Sequence, residues 1–383
     1  MVEPGAGYRT AFLDWLACAS AGRSEPAAMA AQSIAEGLTD RVAALAVAGH
    51  VLDFDDTYGP GLSHLSAPTA PAALVVGAGR GTSIGAVLVA YAAGFEAMAA
   101  VARASHPGLY QRGWHPTAVT GTVGAATATA HLHGLDEERT RTACQLAVLG
   151  AGGLRAAFGT DGKSIQVGAA AAHGVRAARL AGQGATATGS IESAFANAYG
   201  GNWAEAGETP AIADNWIKAF PCCLQTHAAI EAAEQATALG ADLDGSGIVT
   251  VHRRSRQAAP LDEVATGLEA KFSIPYTVAF TLLHGAPTVA SFAAVDGAAQ
   301  ALAARIEVQV DDTLAQSEAV LTWAGGPAPL EILVDAARGS PQHPMTDEQL
   351  RTKVRSLAGS RLDGALDDPA RPAAEVLALV DQT

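Results

Sequence analysis

The feature that most constrains the fold is a set of segments that carry apolar residues at helical spacing, with few charges on any face of the helix. These segments are Val42–Leu52, Ile84–Ala102, Ala118–His131 and Thr140–Gly150. Helices without a polar face are usually buried within a larger helical body. The abundant alanine favours such a body, because alanine loses no side-chain entropy when a helix forms. We therefore predict helices almost throughout from Tyr8 to about Ala236.

The pattern changes near Ile217, where short β-branched runs begin. They predict four strands, at Ile248–Val251, Ile306–Val310, Ala319–Trp323 and Leu330–Val334. Two further helices are predicted between these runs, at Lys271–Leu283 and Thr288–Ala304. Thr346 is a good N-cap for a return to helix. We predict a mainly α protein, in which a large all-helical domain (residues 1–215 and 345–383) contains a smaller inserted α+β domain (residues 216–344).

The charge balance narrows the possible functions. With 38 acidic against 24 basic side chains the formal net charge is −14, which offers no support for binding nucleic acid or an anionic membrane. A few cations in a cleft could still bind an anionic substrate. No apolar run reaches the roughly 20 residues of a membrane span, and the first residues lack the pattern of a signal peptide. The four cysteines show no disulfide or zinc spacing. We expect a cytoplasmic protein.

Three acids and two histidines are concentrated between His50 and His64, although charged residues make up only 16% of the chain. On a continuous helix His50, Asp53 and Thr57 would share one face, and Asp55 would point away. A carboxylate beside an imidazole suits acid–base chemistry near neutral pH. The alternative is a helix end whose acids bond backbone amides.

Four further motifs offer chemically useful side chains. They are Arg112–Thr117 with His115 on a stiff loop, Gly159–Lys163, Lys218–Cys223 followed by His227, and Lys271–Tyr276. Each also has a plain structural interpretation. A single histidine is often only a packed one, the lysines could be solvated, and the paired cysteines could be buried thiols without a basic activator.

Taken in order, these motifs resemble the MmgE/PrpD family over most of the chain, from about Leu13 to Lys353. The most specific pieces are His50-x-x-Asp53-Phe54-Asp55-Asp56-Thr57, Gly113–Thr117 and Lys218-x-Phe220–Cys223-x-x-x-His227. Lys271–Ser273-x-x-Tyr276 and Gly339–Thr346 also fit the family pattern. Each is weak alone, and five in register are specific.

The resemblance implies a helical domain with a smaller α+β lid, and a homodimer that uses neither a metal ion nor an organic cofactor. Family substrates are small molecules with two or three carboxylates. Their shared step forms or quenches a carbanion next to a carboxylate. A hydro-lyase similar to 2-methylcitrate dehydratase is the expected activity. A decarboxylase of the cis-aconitate type and an epimerase of the iminodisuccinate type remain open.

The resemblance also implies site residues. Carried over position by position, they are Asp53, Thr57, His64, His115, Lys163, Lys218, His227, Lys271 and Tyr276. His115 is the first choice for the acid–base group, with His64 as its partner across the substrate. Asp53 would orient either His64 or a substrate hydroxyl. Lys163 and Lys218 would bind substrate carboxylates and stabilise the developing negative charge. Thr57 would add a hydrogen bond, and Tyr276 would supply a proton or anchor an oxygen.

The chain departs from the family pattern in places. The loop between Thr57 and His64 differs, and Cys222-Cys223 stands where cis-aconitate decarboxylases carry a histidine, which disfavours decarboxylation. Three rival functions remain. Asp53–Asp56 fits the DxDD pattern of terpene cyclases, but only 5% of residues are aromatic, too few for a carbocation pocket. A divalent metal on His50, Asp53, Asp55 and Asp56, and a non-catalytic carboxylate-binding protein, are the other two.

Overall fold

The computed structural model describes residues 5–326 and 328–382. These residues form two compact units. The first unit contains residues 5–157, 161–217 and 346–382, and the second contains residues 158–160 and 218–345 outside Pro327. The chain is mainly helical, as the sequence predicts.

Twelve helices belong to the described part of the first unit. They are α1 (Ala6–Gly22), α2 (Pro26–Ser33), α3 (Leu38–His50), α4 (Ser66–Gly79), α5 (Ile84–Ser105), α6 (Gly108–Gln111), α7 (Pro116–Leu132), α8 (Glu137–Val148), α9 (Gly162–Gly182), α10 (Ser190–Tyr199), α16 (Asp347–Ala358) and α17 (Ala373–Asp381). The four segments that predicted helices correspond to α3, α5, α7 and α8, so the helices themselves are confirmed. The predicted burial does not hold throughout α8, which exposes Arg141 and buries only part of its surface.

Helix α7 lies at the centre of this unit, packed against α4, α5, α8 and α9. Glycines let the helix backbones approach closely. A Cβ at Gly94 of α5 would lie 2.5 Å from the carbonyl oxygen of Gly124 in α7. A Cβ at Gly124 would in turn lie 2.5 Å from the Cγ2 atom of Thr69 in α4. These glycines therefore bring α5 and α7 into near backbone contact and let the Thr69 side chain of α4 pack directly on the backbone of α7.

The prediction of an all-helical domain is wrong for this unit. Two short strands, β1 (Thr57–Tyr58) and β2 (Asn215–Trp216), pair antiparallel within it. Pairing joins two loops that are far apart in sequence. Two residues are too short a run to produce a strand pattern, which is why neither strand could be recognised from the sequence.

The second unit combines helices with a four-stranded mixed sheet. Its helices are α11 (His227–Ala238), α12 (Arg253–Ala258), α13 (Gly267–Ala270), α14 (Ile274–His284) and α15 (Gly297–Ala303). Its strands are β3 (Ser246–Val251), β4 (Ile306–Val310), β5 (Ala319–Ala324) and β6 (Leu330–Val334).

The sheet has the strand order β4-β3-β5-β6, in which β3 pairs parallel with β4 and antiparallel with β5. The four predicted strands are confirmed. The predicted helix Thr288–Ala304 is wrong, because a 3₁₀ turn at Val289–Phe292 is separated from α15 by Asp296, which caps α15 by accepting from the Ala299 amide at 2.8 Å. The prediction of an inserted lid is withdrawn: what the elements show is a mixed sheet with five helices.

Helix α5 corrects the expectation that no apolar segment is long enough to span a membrane. It has 22 residues, and by length and composition alone it passes that test. However, 61% of its most apolar stretch is buried inside the protein, against α4 and α7 among others. A core helix has the same properties, so its length is weak evidence for membrane insertion.

Candidate functional site

The first acidic motif lies just beyond the end of α3 and not on a helical face. Helix α3 ends at His50, and Asp53 has a positive φ of 53°, which turns the chain out of the helix. Aspartate tolerates this left-handed conformation better than most residues. The prediction that His50, Asp53 and Thr57 share one helix face is therefore wrong. The turn folds the carboxylates back over the end of α3.

Asp55 is the acceptor that holds two imidazoles together. Its carboxylate lies 2.9 Å from Nδ1 of His50 and 3.1 Å from Nδ1 of His64. The prediction that Asp55 points away from the cluster is wrong. Burial alone would raise the pKa of Asp55, but the adjacent histidines hold that pKa well below its usual range. The group is thus a carboxylate, and both imidazoles donate to it through Nδ1.

Asp56 behaves in the opposite way, although it follows directly in the chain. It is fully buried, and its Oδ2 atom accepts a hydrogen bond of 2.8 Å from the Asn215 side chain on β2. Burial, and then the negative charge of Asp55, raises the pKa of Asp56 to about 8. The pairing of β1 with β2 therefore places Asn215 against a carboxylic acid that stays protonated at neutral pH.

His64 is held from three sides. The loop after β1 contains a 3₁₀ turn at Gly59–Gly61, and Leu62 has a positive φ of 46°. The backbone amide of His64 donates to Oγ1 of Thr117 at 3.0 Å, and Thr57 Oγ1 lies 3.4 Å from His64 Nδ1. Thr57 thus lies beside His64, and the hydrogen bond predicted for it at the site stays a prediction.

His115 sits where two loops meet at the start of α7. Its amide donates to the Gly153 carbonyl at 2.9 Å, and Pro116 follows as the first residue of the helix. Its Nδ1 atom lies 2.6 Å from Nε2 of Gln166. Burial, and then the charge of the neighbouring His50, lowers the pKa of His115 well below its usual value. The imidazole ring is therefore neutral at pH 7.

Lys163 and Gln166 lie one turn apart at the start of α9, so their side chains leave the same face of the helix. The ammonium group of Lys163 lies 2.7 Å from Oδ1 of Asp53, and both residues are buried. The same Oδ1 atom lies 3.7 Å from Nε2 of His64. The contact that orients His64 most closely therefore comes from Asp55, while Asp53 pairs chiefly with Lys163.

The three histidine rings form one cluster. The centroid of the His50 ring lies 4.5 Å from that of His64 and 6.1 Å from that of His115. Burial lowers the pKa of His50, against the raising effect of Asp55. A compact group of imidazoles beside a lysine and two carboxylates is typical of a site for proton transfer.

A lysine from late in the chain supports this loop. The Lys353 ammonium lies 2.6 Å from Oδ1 of Asp14 and donates to the Phe54 carbonyl at 2.7 Å. It also lies 3.9 Å above the Phe54 ring. Helix α16 begins at a capping box, in which Thr346 and Gln349 each bond the other's amide, so the predicted N-cap is confirmed. Lys353 thus fixes the backbone between Asp53 and Asp55.

Four predicted site residues belong to the second unit. Lys218, His227, Lys271 and Tyr276 are all buried there. The Tyr276 hydroxyl accepts a hydrogen bond of 2.9 Å from the Asp296 amide, and burial raises the pKa of Tyr276. The His227 ring packs against Phe220, at 5.1 Å between centroids. That these four serve the same site as the histidine cluster stays a prediction.

The first unit brings together five of the predicted residues, Asp53, Thr57, His64, His115 and Lys163. Sequence reasoning missed the roles of three others. Asp55 was assigned to the wrong face, Gln166 was not considered, and Thr117 was noted only as a helix start. Gln166 could have been found from its spacing, because it lies one helical turn after Lys163.

The ligand-type atoms of His50, Asp55 and His64 lie within 4.8 Å of one another, close enough to hold a metal ion. This is a different set from the predicted metal alternative, which included Asp53 and Asp56. The hydrogen bonds from His50 Nδ1 and His64 Nδ1 to Asp55 bring these three side chains equally close without a cation. Hydrogen bonding therefore explains why the three lie together.

Comparison with known proteins identifies the family of this chain. Residues 6–208 match the MmgE/PrpD N-terminal domain, and residues 220–378 match the MmgE/PrpD C-terminal domain. Human cis-aconitate decarboxylase is 30% identical over 269 residues, and the mouse protein of that name is 27% identical over 281 residues. Each alignment covers 64% of this chain and 55% of the relative, so the chain spans about half the length of the curated relatives it matches. The chain belongs to the MmgE/PrpD family.

Proposed function

We propose that this protein is a lyase that moves a proton at a carbon next to a carboxylate of a small di- or tricarboxylate. The observation that carries the proposal is the buried cluster in which the His50 ring lies close to the rings of both His64 and His115, together with the buried Lys163–Asp53 ion pair. Membership of the MmgE/PrpD family supports it. The family resemblance further implies a cofactor-independent homodimer, and the composition led us to expect a cytoplasmic protein; these points stay predictions.

Lys163 is the residue suited to bind the reacting carboxylate. Its side chain is 9% exposed, so it is near solvent but largely desolvated. An ammonium in such a place attracts an anion more strongly than it would in water. When a proton leaves the adjacent carbon, negative charge grows on the carboxylate oxygens, and a fixed cation stabilises that state more than the starting one.

Loss of water is the reaction we propose first, as in 2-methylcitrate dehydratase. A histidine takes the proton from the carbon next to the carboxylate, and the C–H electron pair forms the new C=C bond. The neighbouring C–O bond then breaks with its electron pair on oxygen, and the departing hydroxide takes a proton to leave as water.

Decarboxylation is the second candidate, because the two relatives reported above are named cis-aconitate decarboxylases. There a C–C bond breaks with loss of CO2, its electron pair moves into the remaining conjugated acid, and a carbon gains a proton. A histidine of the same cluster would transfer the proton in both reactions. Cys222-Cys223, in place of a histidine, argues for the first candidate.

Proton NMR in D2O tests the proposal directly. The purified protein is incubated with 2-methylcitrate, citrate, cis-aconitate, iminodisuccinate and tartrate. Loss of water, loss of CO2 or deuterium entry at one carbon each identifies the reaction. We expect His115→Ala to abolish turnover and to keep its melting temperature near that of the wild type. His131→Ala, an exposed histidine on the same helix α7, is the matched control and keeps full activity.

Failure to act on any of these acids would contradict the proposal. Thermal shifts then add information: a di- or tricarboxylate that raises the melting temperature without deuterium exchange would favour a binding protein. Near-normal turnover by His115→Ala would refute the assigned role of the histidine cluster even if the wild type is active.

A further inference from the structure

Gln166 makes a set of hydrogen bonds that leaves its amide only one orientation. Its Oε1 atom accepts from the Leu154 amide at 2.8 Å. Its Nε2 atom lies 3.2 Å from the Leu154 carbonyl and 2.6 Å from His115 Nδ1. A backbone N–H can only donate and a carbonyl can only accept, so Leu154 fixes which end of the Gln166 amide is the NH2 group.

This orientation determines the tautomer of His115. The Gln166 NH2 group has only hydrogens to offer, so the His115 Nδ1 atom facing it must present a lone pair. A neutral imidazole with a lone pair on Nδ1 carries its proton on Nε2. The burial that lowers the pKa of His115 keeps the ring in this neutral form. His115 therefore presents an N–H group through Nε2.

His64 has the opposite arrangement. Its Nδ1 atom lies 3.1 Å from the Asp55 carboxylate, which can only accept a hydrogen bond. His64 Nδ1 therefore carries the proton, and Nε2 presents the lone pair. The Asp55 carboxylate on Nδ1 also stabilises the imidazolium that forms when Nε2 accepts a proton.

We propose that Gln166 is a positioning residue that makes His115 the hydrogen-bond donor and leaves His64 as the base. The proposal rests on the proposed function and assigns the roles that the sequence left open between the two histidines. His64 Nε2 takes the proton from carbon, and the C–H electron pair moves toward the carboxylate. His115 Nε2–H donates to the carboxylate oxygen on which charge grows.

The proton balance closes without a further acid. The C–O electron pair leaves on hydroxide, and the imidazolium of His64 returns its proton to that hydroxide, so that water leaves and both rings regain their starting tautomers. His115 stays neutral throughout. A neutral imidazole suits this donor role because it need not be reprotonated after each turnover.

The test combines a spectroscopic readout on the free protein with kinetics. In protein labelled with ¹⁵N-histidine, the chemical shifts of Nδ1 and Nε2 show which nitrogen carries the proton. We expect His115 to be protonated on Nε2 in the wild type. Gln166→Glu replaces the NH2 group by a second acceptor, so it should move the proton of His115 to Nδ1. The matched control is Gln183→Glu, an exposed position at the end of the same helix, which leaves the tautomer unchanged.

In kinetics on whichever acid the panel identifies, Gln166→Glu should lower kcat by about 100-fold or more, the usual contribution of a positioned acid or base. KM should change much less, and the variant should melt near the wild-type temperature. Protonation of His115 on Nδ1 in the wild type would overturn the proposal. So would a variant whose tautomer switches while kcat is unchanged. Because the NMR readout needs no substrate, an inactive wild type would count against the proposed function alone.

Discussion

Replacing Asp56 by asparagine should make the protein less sensitive to rising pH. In the folded protein the pKa of Asp56 is raised from 3.8 to about 8 by burial and by the charge of Asp55. In the unfolded chain the same carboxyl ionises near its ordinary value. Between about pH 4 and pH 8 the folded state therefore binds one proton more than the unfolded state.

The sign follows from this difference in bound protons. Stability falls as pH rises wherever the folded state binds more protons, by about 1.4 kcal/mol per pH unit for one group. Stability from Asp56 is fully present below pH 4 and is lost as pH rises towards 8. An asparagine at this position cannot ionise and keeps an oxygen for the Asn215 amide. The free energy of unfolding of Asp56→Asn, relative to that of the wild type, should therefore rise by roughly 3 kcal/mol from pH 5 to pH 7.

Urea unfolding at pH 5, 6 and 7 measures this gain. Glu36→Gln, at an exposed position of the first unit, is the control. Its free energy of unfolding should differ from that of the wild type by an amount that hardly varies with pH. A difference for Asp56→Asn that is also constant with pH would show that Asp56 is ionised in the folded protein, and the argument from burial would be wrong.

Four further predictions follow from the same structure. Lys163→Ala should raise KM at least about tenfold with a smaller effect on kcat, and an unchanged KM in steady-state assays would rule out carboxylate binding by this residue. Lys353→Met should cost about 3–5 kcal/mol in urea unfolding because buried Asp14 loses this ion pair, and the double variant with Asp14→Leu should recover most of that loss. Gly49→Ala should lower the free energy of unfolding by about 1–3 kcal/mol, because its Cβ would lie 2.2 Å from Trp15 Nε1. Gly297→Ala, with open space around it, should be neutral in the same urea-unfolding experiment. Dialysis against EDTA should leave kcat/KM unchanged, and activity that returns only with a divalent ion would restore the metal alternative.

Helices and strands whose sequence pattern extends over many residues could be predicted from the sequence. Helices α3, α5, α7 and α8 contain apolar residues at helical spacing, and strands β3 to β6 contain β-branched runs. Each of these patterns extends over enough residues to be recognised. The pairing of Thr57–Tyr58 with Asn215–Trp216 could not be predicted, because it depends on two short segments that meet from distant parts of the chain.

The candidate site shows the same division. His64, His115 and Lys163 could be found from their residue types and from family motifs. The role of Asp55 could not, because it depends on where α3 ends: extending that helix by one turn sends Asp55 outward, whereas the left-handed turn at Asp53 brings it beneath two imidazoles. Single φ angles of this kind are set by tertiary packing and leave little trace in local sequence.

The contact between Lys353 and the Phe54 carbonyl joins positions separated by 299 residues. During synthesis, the loop that carries Asp53 and Asp55 leaves the ribosome long before α16 exists. At the usual rate of about 5–20 residues per second, the loop waits at least about 15 seconds for its lysine. Asp14, on helix α1, is made earlier still, so its ion pair with Lys353 also has to wait until Lys353 has been synthesised. We therefore expect the histidine cluster to reach its final geometry only when the last helices arrive, so that a nascent or prematurely ended chain does not act as a catalyst on its own.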